Sequence, residues 1–243
     1  WAAIATVVAE VARVFGNASG VVHVGGDEVS EVCWKECRQR DAILSYMSQR
    51  GLASYAQLEA AFDTYTQKSA TLSGRTPIVW DDMLPKNSVL DGTIVHAWHS
   101  SDRLVQAVRS GHKVVQSFGY YLDRQSPLCS GTCSGINWMF SWTYRDMYKT
   151  DPTAGLGLSA EEEARVLGGE ATMFAESQDA ANYDAMAYGR LGAVAERLWS
   201  PATATDARFF ERRAQQHRCL LVRRGLSAAG PLSSDFCETR DFF

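Results

Sequence analysis

The chain has 243 residues, 46% hydrophobic and 21% charged, an ordinary globular composition long enough for one large domain with a real core. Its formal net charge of -4 leaves no basic surface of the kind phosphate backbones require, so nucleic acid is not an expected partner. No run reaches the roughly 18 to 20 uninterrupted apolar residues that span a bilayer, so no transmembrane segment is expected.

Residue 1 is Trp rather than Met, with no charged leader or small-residue cleavage site before it, and an upstream portion is therefore expected. Ala2 to Phe15 reads as a helix that carries Glu10 and Arg13 within its period. Asn17-Ala18-Ser19 is a glycosylation sequon, relevant if the protein enters an oxidising, secretory compartment. Five short β-branched runs follow in order: Val21 to Val24, Pro77 to Trp80, Thr93 to Trp98, Lys113 to Phe118 and Val166 to Met173. Helical periods separate or follow them at Tyr55 to Leu72, Asp102 to Arg109, Tyr183 to Trp199 and Arg208 to Arg223. Such alternation calls for parallel strands joined by crossover helices, with strands apolar on both faces.

An open doubly wound sheet and a (β/α)8 barrel both fit that pattern. The barrel is favoured because polar and aromatic residues stand directly after each strand: Asp27-Glu28, Trp80-Asp81-Asp82, Trp98-His99, Tyr120 to Asp123 and Glu176. In a barrel these ends converge on one face. The stretch from Arg124 to Ala160, with Pro, Gly, Ser, two Cys and five aromatics, is too long for an ordinary connection and reads as an elaborated loop over that face. Glu161 to Glu163 read as the acidic first turn of a helix that begins after Ser159.

Chemistry concentrates in His23-Val24-Gly25-Gly26-Asp27-Glu28, where a buried-looking strand ends in two glycines and two adjacent carboxylates. The glycines allow a sharp turn or a close ligand approach. Two carboxylates held together can divide their labour, one a neutral acid and the other an anion, as glycosidases require. His23 lies within the strand and reads as a hydrogen-bonded core histidine, since no second ligand stands at a metal-site spacing. No metal and no cofactor is expected. Glu196 beside Arg197 reads as an internal ion pair. Six cysteines, Cys33, Cys37, Cys129, Cys133, Cys219 and Cys237, fit neither a zinc ribbon nor a thioredoxin motif, and their even number leans towards disulfides.

The His-x-Gly-Gly-Asp-Glu run resembles the signature of the β-N-acetylhexosaminidases of glycoside hydrolase family 20, and the similarity continues in order down the chain. Ile78 to Asp82 and Val95 to Trp98 resemble the family's Trp-bearing strand ends, and Tyr120 to Asp123 its Tyr-Leu-Asp element. Gly168 to Glu176 with Asp179 and Asn182 resembles the last strand and its turn, and Ala193 to Ser200 the helix after it. The chain departs from the family pattern at Phe174, where a Trp is usual, at Asp81-Asp82, where Gln-Glu is common, and at Tyr188-Gly189-Arg190, a frequent Trp-Pro-Arg. Gly-Gly-Asp-Glu also opens the signature of diguanylate cyclases, but Val29 stands where those enzymes carry Phe, and their motif lies on a hairpin.

The resemblance implies an α/β fold, a (β/α)8 barrel of which residues 1–243 form the C-terminal part, with about the last five βα units present and the first three, together with any accessory domain, upstream. It implies an exo-acting hydrolase of terminal β-linked N-acetylglucosamine or N-acetylgalactosamine that works by substrate assistance. Glu28 would be the general acid and base, Asp27 would orient the acetamido group, and the Tyr121 hydroxyl would bond its oxygen. Trp80, Trp98 and Phe174 would wall the sugar, and Asp123 and Glu176 would accept bonds from its hydroxyls. The resemblance further implies a Cys219–Cys237 disulfide, a lysosomal or secreted location, and glycans or glycoconjugates as partners. A homodimer through the C-terminal half and an N-terminal chain of the same precursor are the implied protein partners. The competing expectation is a truncated or degenerate relative that only binds carbohydrate or protein.

Overall fold

The computed structural model describes residues 1–123, 142–174, 178–204, 206–228 and 237. Its regular elements are α1 (Ala2–Phe15), β1 (Val21–His23), α2 (Glu31–Glu36), α3 (Arg40–Gln49), α4 (Tyr55–Leu72), β2 (Thr76–Trp80), β3 (Ile94–Ala97), α5 (Ser101–Arg109), β4 (Lys113–Gln116), α6 (Tyr144–Lys149), α7 (Ala160–Glu163), β5 (Val166–Gly169), α8 (Tyr183–Trp199) and α9 (Ala207–Arg223). The chain divides into two compact units, one of Trp1–Gln116 with Leu156–Leu167, the other of Ser117–Gly155 with Gly168–Phe243.

The strands stand in the order β1-β2-β3-β4-β5. The pairs β1–β2, β2–β3 and β3–β4 are parallel, with His23 opposite Ile78, Trp80 opposite His96 and Ala97 opposite Gln116. Doubly wound sheets reverse their strand order at a switch point, whereas barrels add strands in sequence. The unreversed order selects the barrel topology of the two candidates. Only β3 is buried at every residue, while β2 alternates and β1 is largely open. The expected run of strands covered on both faces therefore holds for the centre of the sheet. Among the described residues the edge strand β1 pairs with β2 alone, and Val21 and His23 are exposed.

Helix starts are written in local chemistry. Ser54 accepts from the Gln57 N–H to cap α4, and Ser100 accepts from the Arg103 N–H to cap α5. Thr143 with Asp146 and Ser159 with Glu162 form reciprocal capping boxes at α6 and α7. The helix expected after Ser159 is α7, a single turn. Within the stretch read as one elaborated loop, residues 124–141 lie outside the described residues, and α6 occupies part of the remainder.

The first unit holds α4 against the segment after β2 with buried polar groups. Gln67 donates to the Ser88 carbonyl at 2.8 Å and accepts from the Leu90 N–H at 2.9 Å and from Thr93 Oγ1 at 3.0 Å. Ser88 Oγ donates to Asp63 Oδ2 at 2.8 Å. Burial raises the Asp63 carboxyl above the ordinary carboxylate range, with the Ser88 bond and the Lys86 charge working against it. A carboxyl raised on folding contributes stability that is complete below its unfolded value and is lost as pH rises through its folded value. Asp63→Asn, which keeps an acceptor for Ser88, is therefore expected to raise the urea midpoint at pH 7 relative to the parent protein, and the gain should vanish below about pH 4.

In the second unit, Tyr121 and Thr172 form a parallel bridge, with the Leu122 N–H donating to the Thr172 carbonyl at 2.8 Å. Its core gathers Tyr120, Leu122, Met147, Tyr148, Val194 and Phe210. Arg197, only 5% exposed, pairs with Asp151 at 2.6 Å, and Glu196 pairs with Arg213 of α9. The expected Glu196–Arg197 pair is thus corrected. Neighbours on a helix point about 100° apart, and each finds its partner on a different element. Cys219 and Cys237 are joined, as the family resemblance implies. Cys33 and Cys37 are free thiols, and Cys129 and Cys133 lie outside the described residues.

Candidate active site

The ladder between β1 and β2 runs on past the strand. The Val24 N–H donates to the Ile78 carbonyl at 2.9 Å and the Trp80 N–H to the Gly25 carbonyl at 3.1 Å. The chain then turns at Gly25 (φ 76°) and Gly26 (φ 101°), and Glu28 itself is left-handed at φ 47°. That is an uncommon state for a residue with a side chain. Asp27 and Glu28 are exposed, so the two carboxylates project beyond the strand end. A Cβ on Gly26 would lie 2.1 Å from the end of the Met83 side chain, which could shift, but the positive φ could not be relieved. Gly26→Ala is expected to cost about 1–3 kcal/mol, read from denaturant midpoints.

His23 Nδ1 accepts from the Gly25 N–H at 3.1 Å. The expected hydrogen bond is present, but the ring is exposed rather than in the core, because β1 is the sheet edge. Its centroid lies 4.7 Å from that of Trp80, which stacks on His96 at 4.2 Å. Trp80 is thus half-buried and held flat by histidines on the neighbouring strands.

The ends of β2 and β3 are tied by two adjacent aspartates. Asp81, fully buried, accepts at Oδ2 from the N–H groups of Trp98 and His99, both at 3.3 Å, and its Oδ1 lies 2.6 Å from His99 Nδ1. Burial raises the Asp81 carboxyl, and the His99 contacts oppose that shift. Asp82 accepts from the Trp98 indole Nε1–H at 2.8 Å and from the Glu28 N–H at 3.3 Å. Asp81, Asp82 and His99 hold ligand-type atoms within 4.8 Å of one another. All four carboxylate oxygens of the pair are hydrogen-bonded, and this bonding accounts for the grouping.

In the second unit, Tyr121 is buried and its ring lies 5.9 Å from Phe174, which is half exposed. Phe174 lines an open groove of about 420 Å³ with Met173, Gln178, Asp179 and Tyr183. Asp123 is fully buried, and its carbonyl accepts from Gln178 at 3.1 Å. Arg190 donates to the Leu122 and Trp142 carbonyls, and its charge acts on Asp123. Glu176 lies outside the described residues.

Within the first unit, Glu28 and Trp98 thus share Asp82, while Trp80 faces His23 and His96. Within the second, Tyr121 and Phe174 come together. Two contributors escape a reading of the sequence. Asp81-Asp82 looks like a departure from Gln-Glu until both are seen to bond the next strand end, and Arg190, which no local pattern singles out, holds the backbone at Leu122 beside Asp123.

Residues 1–202 match the family model for the glycosyl hydrolase family 20 catalytic domain. The chain is 40% identical over 234 residues to the beta-hexosaminidase subunit beta of Entamoeba histolytica, covering 94% of this chain and 41% of that protein. It is 33% identical to the mouse beta-hexosaminidase subunit alpha over 89% of this chain and 39% of that protein. The chain spans about two fifths of the length of the curated relatives it matches. Among solved structures, the chitobiase of Flavobacterium johnsoniae aligns at a TM-score of 0.69 and 27% identity, over 90% of this chain and 32% of that one. The exo β-N-acetylglucosaminidase of Vibrio harveyi in complex with N-acetylglucosamine aligns at 0.79 and 23%, over 95% and 36%, a likeness of fold. The five parallel strands and their helices make an incomplete α/β barrel, and the chain belongs to glycosyl hydrolase family 20.

Proposed function

We propose that the protein carrying this chain is an exo-acting glycoside hydrolase that removes terminal non-reducing β-linked N-acetylglucosamine or N-acetylgalactosamine by substrate-assisted, retaining catalysis. The observation that carries the reading is the strand end at Gly25-Gly26-Asp27-Glu28, where two exposed carboxylates follow two left-handed glycines beside the Trp-bearing ends of β2 and β3. The residues form the C-terminal part of one catalytic barrel.

Glu28 protonates the glycosidic oxygen while the substrate's 2-acetamido carbonyl attacks the anomeric carbon, which gives an oxazolinium-type intermediate. Glu28, now a carboxylate, takes a proton from the water that opens it. Asp27 orients the acetamido group and stabilises the positive charge that develops on its nitrogen. The Tyr121 hydroxyl bonds the acetamido oxygen. Trp80, Trp98 and Phe174 supply apolar walls, and Asp123 and Glu176 accept from sugar hydroxyls. A site built to pair with those hydroxyls rejects analogues that lack them.

The substrates are glycans or glycoconjugates, in a lysosomal or secreted setting. The Cys219–Cys237 disulfide and the exposed sequon at Asn17 support an oxidising compartment. A homodimer, and an N-terminal chain of the same precursor, are the proposed protein partners. The test uses the full-length gene product that carries this chain, with aryl β-N-acetylglucosaminide, β-N-acetylgalactosaminide and β-glucoside. Release from either acetamido sugar and none from the glucoside is expected. Equal rates on the glucoside would overturn substrate assistance, and binding without release would favour a non-catalytic relative.

A further inference from the structure

Asp82 sits at the end of β2 and bonds both neighbouring strand ends. Its Oδ1 accepts from the backbone N–H of Glu28 at 3.3 Å, and its Oδ2 accepts from the indole Nε1–H of Trp98 at 2.8 Å. The Trp98 backbone is fixed separately, because its N–H and that of His99 donate to Asp81, which is wholly buried. Trp98 is therefore held at two points, by its backbone and by the tip of its ring. Glu28 holds a backbone conformation that side-chain-bearing residues rarely adopt, at φ 47°. Such a conformation persists only where its surroundings over-determine it, and the Asp82 carboxylate is one of the groups that do so.

We propose that Asp82 is a positioning residue that locks the backbone of the general acid Glu28 to the indole of the sugar wall Trp98, so that proton donor and wall keep one fixed spacing. The proposal rests on the hydrolase reading above. A carboxylate suits this place because both of its oxygens accept. Asparagine offers one accepting oxygen and turns an NH2 group towards the second donor, so it can keep one tether but not both.

The test compares Asp82→Ala, Asp82→Asn, Trp98→Phe and the Asp82→Ala/Trp98→Phe double variant in the full-length gene product. Two readouts are taken: kcat and KM on an aryl β-N-acetylglucosaminide, and the Trp98 indole N–H proton resonance, assigned by its loss in Trp98→Phe. A displacement of the general acid by about an ångström should cost about 10²-fold, so Asp82→Ala is expected to lose about that much in kcat. Trp98→Phe, which keeps a ring but lacks the indole donor, should chiefly raise KM. The double variant should raise KM no further than Trp98→Phe does, since both single changes break the bond between Asp82 and the indole. The indole resonance should move in Asp82→Ala. Should Asp82→Ala fail to fold, the isosteric Asp82→Asn carries the same test, with a smaller loss of kcat and a moved resonance. A resonance that stays in place, a kcat of Asp82→Ala within about threefold of the parent, or single effects on KM that multiply in the double variant would overturn the proposal. A resonance that moves in Asp82→Ala, together with a parent protein that hydrolyses neither acetamido sugar, would leave the tether standing and defeat the hydrolase reading.

Discussion

Glu28→Gln is expected to remove about 10²- to 10⁴-fold of kcat, the range that a positioned general acid and base supplies. The amide has the shape of the acid and leaves the backbone at φ 47° and its bond to Asp82 undisturbed, so the loss isolates the proton. The deficit should depend on the leaving group. A nitrophenolate departs with little protonation, whereas a sugar alkoxide cannot, so natural disaccharides should suffer more than aryl glycosides. Steady-state rates on the two substrate types, with a thermal melt to verify folding, provide the check. A uniform small loss on both would remove Glu28 from the acid role.

Asp27→Asn is the second large effect. An internal nucleophile in ideal alignment is worth on the order of 7 to 11 kcal/mol, and Asp27 is the group assigned to hold that alignment and to balance the charge it develops. Deletion of one such electrostatic partner usually costs about 10²- to 10³-fold in kcat, and that loss is expected here with KM little changed. Because the charge appears only as the acetamido group attacks, the interaction belongs to the transition state more than to the bound sugar. A rise in KM at unchanged kcat would instead make Asp27 a ground-state contact.

Much of the fold could be read in the residues. The boundaries of α1, α4 and α8 fall where their apolar periods place them, at Ala2–Phe15, Tyr55–Leu72 and Tyr183–Trp199. Five strands fall on the five β-branched runs; β2 starts one residue earlier, at Thr76, and the other four end before their runs do. The helices α2 and α3 were not visible, because Glu31–Glu36 and Arg40–Gln49 are short, largely exposed and weakly periodic. Burial at the edge was also misjudged: β-branched Val21 looks like core but is exposed, because among the described residues β1 pairs with β2 alone, which is a property of the sheet.

The site was legible in part. The Asp27–Glu28 pair announces itself by the preceding glycines, and the positive φ at Gly25 and Gly26 is the physical reason those glycines are there. The Asp82 bridge depends on three segments far apart in sequence, at residues 28, 82 and 98, and no local pattern encodes it. Arg190 is similar, since its bond to the Leu122 carbonyl spans 68 residues.

The central claim is that the protein uses the substrate's own acetamido group as nucleophile beside Asp27 and Glu28. It is tested most directly by proton NMR of the first sugar released from an aryl β-N-acetylglucosaminide by the full-length gene product, recorded before mutarotation. Two inversions, by the acetamido oxygen and then by water, predict that the β-anomer appears first. An initial α-anomer would mean a single displacement by water and would contradict the account.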